Sequence, residues 1–221
     1  MKKRSLAGNV AIGLFLFCAV CVVVSFFYPA WLVSDRRITS AKMQKIGLWE
    51  HCFRSLPNPE RADSPDRFYV GCRWIYDPLT AGYDKIRGFL LPGFMVTTQF
   101  FYTICFLSFV VSVGLVIVYA TCWTKEHPHY VDLIKVIACL LLIGSISGCI
   151  GVLVFALFGN SKGWMPDQEN NFIGWAYVVA CVGSILGIVV SILFFVEANI
   201  QEKKRKKLKE SQTRFTLEAR A

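Results

Sequence analysis

Four long apolar stretches alternate with polar segments along the chain. They run over about 9–33, 94–123, 136–158 and 172–196, and none of them contains Asp, Glu, Lys or Arg. About 20 mostly apolar residues in a helix are enough to cross a bilayer core of roughly 30 Å. The pattern therefore predicts an all-α membrane protein in which four transmembrane helices form a left-handed bundle.

The one long polar segment, 34–93, carries a different pattern. Residues 32–47 mix apolar and polar side chains without a helical stripe, which favours one or two short strands. Residues 55–66 contain three prolines and predict an exposed excursion. After it, Phe68, Val70, Cys72, Trp74 and Tyr76 recur at every second position, which predicts a strand with this face half-buried.

Composition and charge narrow the class of protein. The 221 residues are 55% hydrophobic with a mean hydropathy of +0.48, too apolar for a soluble domain of this length. The net charge of +9 lies mostly in the segments outside the spans at the two termini, which favours membrane contact over nucleic acid. Spans without ionisable side chains argue against a pump or transporter.

Topology follows from the basic residues next to the spans. The first stretch, preceded by 1–8 with Lys2, Lys3 and Arg4, resembles the start of a signal peptide, but its apolar run is long and suggests a retained helix. The positive-inside rule places both termini, 1–8 and 197–221, and the turn 124–135 in the cytoplasm. The segments 34–93 and 159–171 are then extracellular. The cluster Lys203, Lys204, Arg205, Lys206 and Lys207 is either a topology signal or a contact for anionic inner-leaflet lipids.

The nine cysteines divide by position. Only Cys52 and Cys72 lie clearly outside the spans, and in an oxidising compartment we expect them to form a disulfide rather than two free thiols. Cys122, at the cytoplasmic end of the second span, is either a palmitoylation site or an inert thiol. The other six are small packing residues.

Little in the sequence suggests chemistry. No phosphate-binding loop, metal-ligand cluster or nucleophile–base pair is recognisable, so neither an enzyme nor a cofactor is expected. His127 and His129 flank a proline, but no further ligand candidate stands nearby, and a solvated turn is the expected state.

Small residues recur at four-residue spacing in the last two spans, where they allow close helix approach. They serve either packing within one bundle or self-association between molecules. The glycines concerned are Gly144, Gly148, Gly151, Gly183 and Gly187.

Together, these features resemble the claudin superfamily, which includes peripheral myelin and LHFP-like four-span proteins. The resemblance is carried by Trp31, the motif Gly47-Leu48-Trp49-x-x-Cys52, Cys72, and Arg87 ahead of the second span. It implies a small antiparallel sheet in the first extracellular loop, bridged cysteines, Trp49 dipping toward the bilayer as an anchor, and Arg87 capping the second helix. The aromatic cluster ending in Trp31 is expected at the headgroup level.

Two features depart from vertebrate members. The interval between the cysteines is longer, and the C-terminus Glu218-Ala219-Arg220-Ala221 lacks the Tyr-Val type ending that PDZ scaffolds bind. Residues 67–94 are similar to invertebrate claudin-like proteins of septate junctions, such as the pasiflora group.

The resemblance implies a structural protein of an occluding, septate-type junction that contributes to a paracellular diffusion barrier at lateral contacts of the plasma membrane. Its expected partners are other claudin-like and junction membrane proteins, in cis or trans, as a homo- or hetero-oligomer. The alternative is an accessory or trafficking subunit of a membrane channel or receptor.

Overall fold

A computed structural model describes residues 5–35, 37, 41–57, 68–77, 79, 83–122, 129–161, 164–165 and 168–218. The residues of the proline-rich excursion from 58 on, His127 and the last three residues lie outside this part. The described chain contains five α-helices and five strands. They are α1 Leu6–Phe27, β1 Leu32–Ser34, β2 Met43–Ile46, β3 Glu50–Pro57, β4 Phe68–Trp74, α2 Tyr83–Leu90, α3 Gly93–Ile117, α4 Tyr130–Phe158, β5 Asn171–Ile173 and α5 Trp175–Glu218.

Helices α1, α3, α4 and α5 are long and apolar enough to cross a membrane. They close a ring in which α4 packs against α3 and α5, and α1 packs against α5 and α3. This confirms the predicted fold class of a four-helix membrane protein with a small antiparallel sheet in its long polar segment.

The first helix ends earlier than the sequence suggests. Its last helical residue is Phe27 rather than a residue near 33, and the backbone at Tyr28 is already extended. Pro29 has no amide hydrogen to donate within a helix, and its ring disfavours a helical backbone at Tyr28, so the helix ends before it. The apolar residues Leu32 and Val33 belong to β1 instead.

The last two helices are longer than their apolar stretches. Helix α4 begins at Tyr130 and includes Asp132 and Lys135, which precede the predicted span. Helix α5 begins at Trp175 because Asn171–Ile173 forms β5, and it continues as one helix to Glu218. At 1.5 Å per residue its 44 residues are about 66 Å long, twice what a bilayer core requires.

The strands form one antiparallel sheet in the order β4-β3-β2-β1-β5. Strand β5 comes from the segment before the last helix, so the sheet joins the two polar segments on the same side of the bundle. We call this side the sheet end, and the opposite side, where α5 continues past Glu197, the tail end. One buried apolar cluster lies under the sheet and a second lies in the tail-end half of the bundle.

The prediction for β4 was wrong about its face. The strand forms, but Val70 and Trp74 are 60% and 56% exposed, whereas Tyr69 is buried. The buried face of the sheet is set by β1, β2 and β3, whose residues Leu32, Ile46 and Phe53 pack against the helices. A period of two distinguishes the two faces of a strand but does not say which of them meets the core.

Candidate functional site

The disulfide predicted from the sequence is present between β3 and β4. Cys52 and Cys72 are direct cross-strand partners with their Cα atoms 3.9 Å apart. Cys52 is fully buried, whereas Cys72 is exposed. The bond therefore ties the edge strand β4 to a strand that packs on the bundle.

The turn before β3 is held against two helices. The Gly47 amide donates to the Glu50 carbonyl at 2.9 Å, which closes the turn. A Cβ on Gly47 would lie 2.5 Å from the Cα of Pro29, so only glycine allows this approach to the chain leaving α1. Leu48 is fully buried, and its carbonyl accepts a 2.6 Å hydrogen bond from Nε2 of Gln99 on α3.

Trp49 belongs to this turn and lies against the last turn of α1. Its ring contacts Phe26 with centroids 5.5 Å apart, and it is only partly buried. The indole Nε1 is buried, and it has no hydrogen-bond partner in the part of the chain that the structure describes. This placement at the end of a membrane-spanning helix is what a bilayer anchor requires, and that role remains a prediction.

Trp31 lies inside the protein. It is fully buried, its Nε1 donates to the Ser25 carbonyl at 2.7 Å, and its ring makes edge contacts with Tyr102, Phe155 and Tyr177. The chain turns inward after Pro29, so the Trp31 ring packs inside the protein, and its level relative to the lipid headgroups stays a prediction. Its backbone also joins β2 and the start of α5 through bonds to the Ile46 carbonyl and the Gly174 amide. Trp31 is the junction between the sheet and the helices.

Arg87 does not cap the second membrane helix. It lies in the last turn of the separate helix α2, while α3 begins at Gly93 after an N-cap residue, Pro92, that makes no side-chain cap bond. The guanidinium Nε donates to the Ile75 carbonyl at 3.4 Å, and the group stacks over the Tyr76 ring at 5.7 Å. Arg87 therefore links α2 to the chain that leaves β4.

His51 is a residue that sequence reasoning missed. It lies in β3 between Glu50 and Cys52 and is completely buried, and neither ring nitrogen has a hydrogen-bond partner among the described residues. Burial lowers the pKa of its imidazole from 6.5 to about 3, since the charged form loses its hydration. The one sequence signal that pointed to His51 was its position inside the motif Gly47-Leu48-Trp49-x-x-Cys52.

Glu50 faces away from this core, toward the disulfide. Its carboxylate and the sulfurs of Cys52 and Cys72 lie within 4.8 Å of one another. Sulfurs joined to each other are not thiolates and are poor metal ligands. This grouping therefore does not have the chemistry of a metal centre.

The five glycines of the last two spans all lie against other helices of the same chain. A Cβ on Gly144 would meet Ser108 of α3 at 2.6 Å, and one on Gly183 would meet Cys21 of α1 at 3.1 Å. Gly148 lies against Ser184 of α5 and also against α3, Gly151 lies against α3, and Gly187 lies against Ser145 of α4. These contacts favour packing within one bundle over association between molecules.

At the tail end, a buried carboxyl group joins three elements. Glu197 of α5 is completely buried and accepts hydrogen bonds from Ser5, from Tyr119 at 3.3 Å and from Gln201 at 2.7 Å. A Cβ on Gly8 of α1 would lie 2.9 Å from this carboxyl group. The sequence did not single out Glu197 as buried, because this residue directly follows the last apolar stretch and does not lie within it.

The basic cluster continues on the same helix as a solvated turn. Lys203, Lys204, Lys206 and Lys207 are exposed, and Arg205 is half-buried. Glu202 forms ion pairs with Lys135 at 2.9 Å and with Lys206 at 3.1 Å. Cys122 ends a π-helical turn, Val118–Cys122, and its side chain lies outside the described residues.

A comparison with protein families matches most of the chain. The family model described as PMP-22/EMP/MP20/Claudin tight junction covers residues 16–196. This range begins inside α1, ends inside α5, and includes the disulfide, the Gly47 turn and all five strands. No curated protein matches the chain at a significant level.

Proposed function

We propose that this chain, which belongs to the PMP-22/EMP/MP20/Claudin tight junction family, is a structural protein of an occluding cell–cell junction. Family membership and the four apolar helices make it a multi-pass membrane protein of claudin type. We further propose that both termini are cytoplasmic and that the sheet end faces the extracellular space between lateral membranes.

One observation supports a contact role above the others. Strand β4 lies at one edge of the described sheet, and it presents the exposed apolar side chains Phe68 and Val70. Exposed apolar side chains grouped on one surface are typical of protein interaction sites. The Cys52–Cys72 bond holds this surface in place before binding, which reduces the entropy that a partner must overcome.

This exposed apolar surface is expected to bind another protein chain. We propose other claudin-like chains as partners, in cis or trans, with homo- or hetero-oligomers both allowed. The resemblance of residues 67–94 to invertebrate septate-junction proteins of the pasiflora group supports a septate-type junction and a role in its paracellular barrier. The basic residues 203–207 would contact anionic inner-leaflet lipids at about 1 kcal/mol each, and Cys122 is a candidate for palmitoylation.

The alternative function, an accessory channel subunit, would need a free helix surface on which the larger partner could bind. The small-residue faces that would have bound a larger partner are occupied by neighbouring helices of the same chain. A mild-detergent purification distinguishes the two functions. Several junction proteins in the eluate would support the junction role, whereas one channel protein at equal stoichiometry would support the accessory role.

The junction role is tested by removing the protein from a polarised epithelium and measuring the flux of a fluorescent dextran between the cells. We expect increased flux, restored by the wild-type chain and not by a Val70→Lys variant, which places a charge on the β4 surface. A Glu169→Lys variant, which adds positive charge at the sheet end outside the strands, is the control. An unchanged barrier without the protein would contradict the proposal.

A further inference from the structure

A cleft of about 450 Å³ lies where the sheet meets the outer turn of α1. Phe26 and Phe27 of α1, Trp49 of the turn, and Glu50 and Trp74 of the sheet form its walls. Glu50 and Trp74 are cross-strand partners on β3 and β4, so their side chains lie side by side on one face. The size is within the range of about 300–1,000 Å³ that is typical of ligand sites.

The walls combine aromatic rings with a single negative charge. Glu50 is half-buried, and in the part of the chain that the structure describes its carboxylate makes no ion pair or hydrogen bond. Aromatic faces attract cations, and quaternary ammonium groups are bound by aromatic cages of this kind. A carboxylate beside such rings selects a cation and disfavours an anion. The cleft is therefore complementary to an alkylated ammonium group.

A second feature is an apolar track that leads away from the cleft along α1. Phe27, at the rim, is 62% exposed, and Val23, Val20 and Leu16 continue the same exposed helix face at intervals of three and four residues. This face belongs to a membrane-spanning helix, so lipid acyl chains are its natural neighbours. The track runs in the direction that the chains of a lipid held at the cleft would take.

We infer that the cleft binds the phosphocholine headgroup of a phosphatidylcholine molecule, with the ammonium group between Trp49 and Trp74 beside Glu50. An acyl chain then lies along the Phe27 face. The headgroup and the hydrocarbon chain follow each other in the lipid as the aromatic cleft and the apolar track do in the structure. The bound lipid would fix the angle between the sheet and the membrane.

The inference is tested by native mass spectrometry of the full chain purified in maltoside, after addition of phosphatidylcholine, phosphatidylethanolamine or phosphatidylglycerol at equal mole fractions. We expect phosphatidylcholine to be retained about tenfold better than phosphatidylglycerol, as one desolvated cation–π site provides. Glu50→Gln and Trp74→Leu should each reduce phosphatidylcholine retention about five- to tenfold and leave phosphatidylglycerol retention unchanged. Glu169→Gln, an equal charge change outside the cleft, should change neither.

Thermal unfolding of each variant is measured alongside, so that loss of binding is separated from loss of fold. Equal retention of phosphatidylcholine by the wild type and a folded Glu50→Gln variant would overturn the inference. It would also be overturned if Glu50→Gln left lipid retention unchanged but dissociated a detergent-stable dimer. In that case the cleft would accept a basic side chain from a second copy of the chain.

Discussion

The two ends of the molecule are held together by different kinds of interaction. At the sheet end, a disulfide joins β4 to β3, and the fully buried Trp31 connects the sheet to the helices. At the tail end, α1, the π-helical turn and α5 meet at the carboxyl group of Glu197, through hydrogen bonds from Ser5, Tyr119 and Gln201. Small sheets with little core benefit from a covalent link, whereas long apolar helices need only a few directional contacts to fix their register.

This difference has a functional consequence. An apolar surface on a sheet is useful for binding only if the sheet keeps its shape when no partner is present. The disulfide closes a loop of about 20 residues, which stabilises the folded state by about 3 kcal/mol. The tail end carries a solvated basic helix and has no comparable constraint in its described residues.

The largest effect is expected from Trp31→Ala at the sheet end. Removing this ring from a fully buried site and losing its bond to the Ser25 carbonyl should lower the free energy of unfolding by about 3–5 kcal/mol. Thermal unfolding in detergent measures the change. Trp175→Ala, at a half-exposed tryptophan on α5, should cost much less, and equal losses for the two variants would refute the placement of Trp31 as the junction.

A smaller effect is expected from Glu197→Leu at the tail end. The substitution leaves the Tyr119 and Gln201 donors without their acceptor, and should lower the free energy of unfolding by about 2–3 kcal/mol. Glu197→Gln keeps one acceptor oxygen and should cost less. Glu210→Leu, at an exposed position on the same helix, serves as the control, and a loss there as large as at Glu197 would contradict the buried cluster.

The smallest effect is a pH dependence that is confined to the sheet end. His51 has a pKa of about 3 in the folded chain and about 6.5 when unfolded, so the folded state remains neutral while the unfolded chain gains a proton. Stability is therefore full above pH 6.5 and decreases as the pH falls toward 3. Between pH 7 and pH 5 the loss should be about 2 kcal/mol.

Melting curves at both pH values should show the decrease for the wild type and for His129→Gln, at an exposed histidine, but not for His51→Phe. A wild type that melts equally at pH 7 and pH 5 would refute the neutral, buried state of His51.

Most of the architecture could be predicted from the sequence, because apolar length alone identifies membrane spans. The disulfide was also predictable, since only two cysteines lie outside those spans. The end of α1 was less predictable, because Leu32 and Val33 are as apolar as the residues of a membrane helix. They form a strand instead because β2 and β5, which lie further along the chain, pair with it.

Burial of individual side chains was harder to predict. Trp31 and Trp49 both lie near the end of α1, yet one is buried among three rings and the other borders an open cleft. The alternation in β4 was recognised, but its outward direction depends on how β3 packs on the helices. His51 and Glu197 are buried for the same reason, since tertiary packing decides their environment and local sequence does not.

We propose that the disulfide-linked sheet, with the exposed face of β4, is the contact surface. This is tested by the enrichment of a tagged chain at the contact between two expressing cells in an otherwise non-adherent culture. We expect enrichment for the wild type, Cys139→Ser and Glu169→Lys, and its loss for Val70→Lys and the Cys52→Ser, Cys72→Ser double variant. Equal enrichment of the wild type and these last two variants, at equal surface levels, would contradict it.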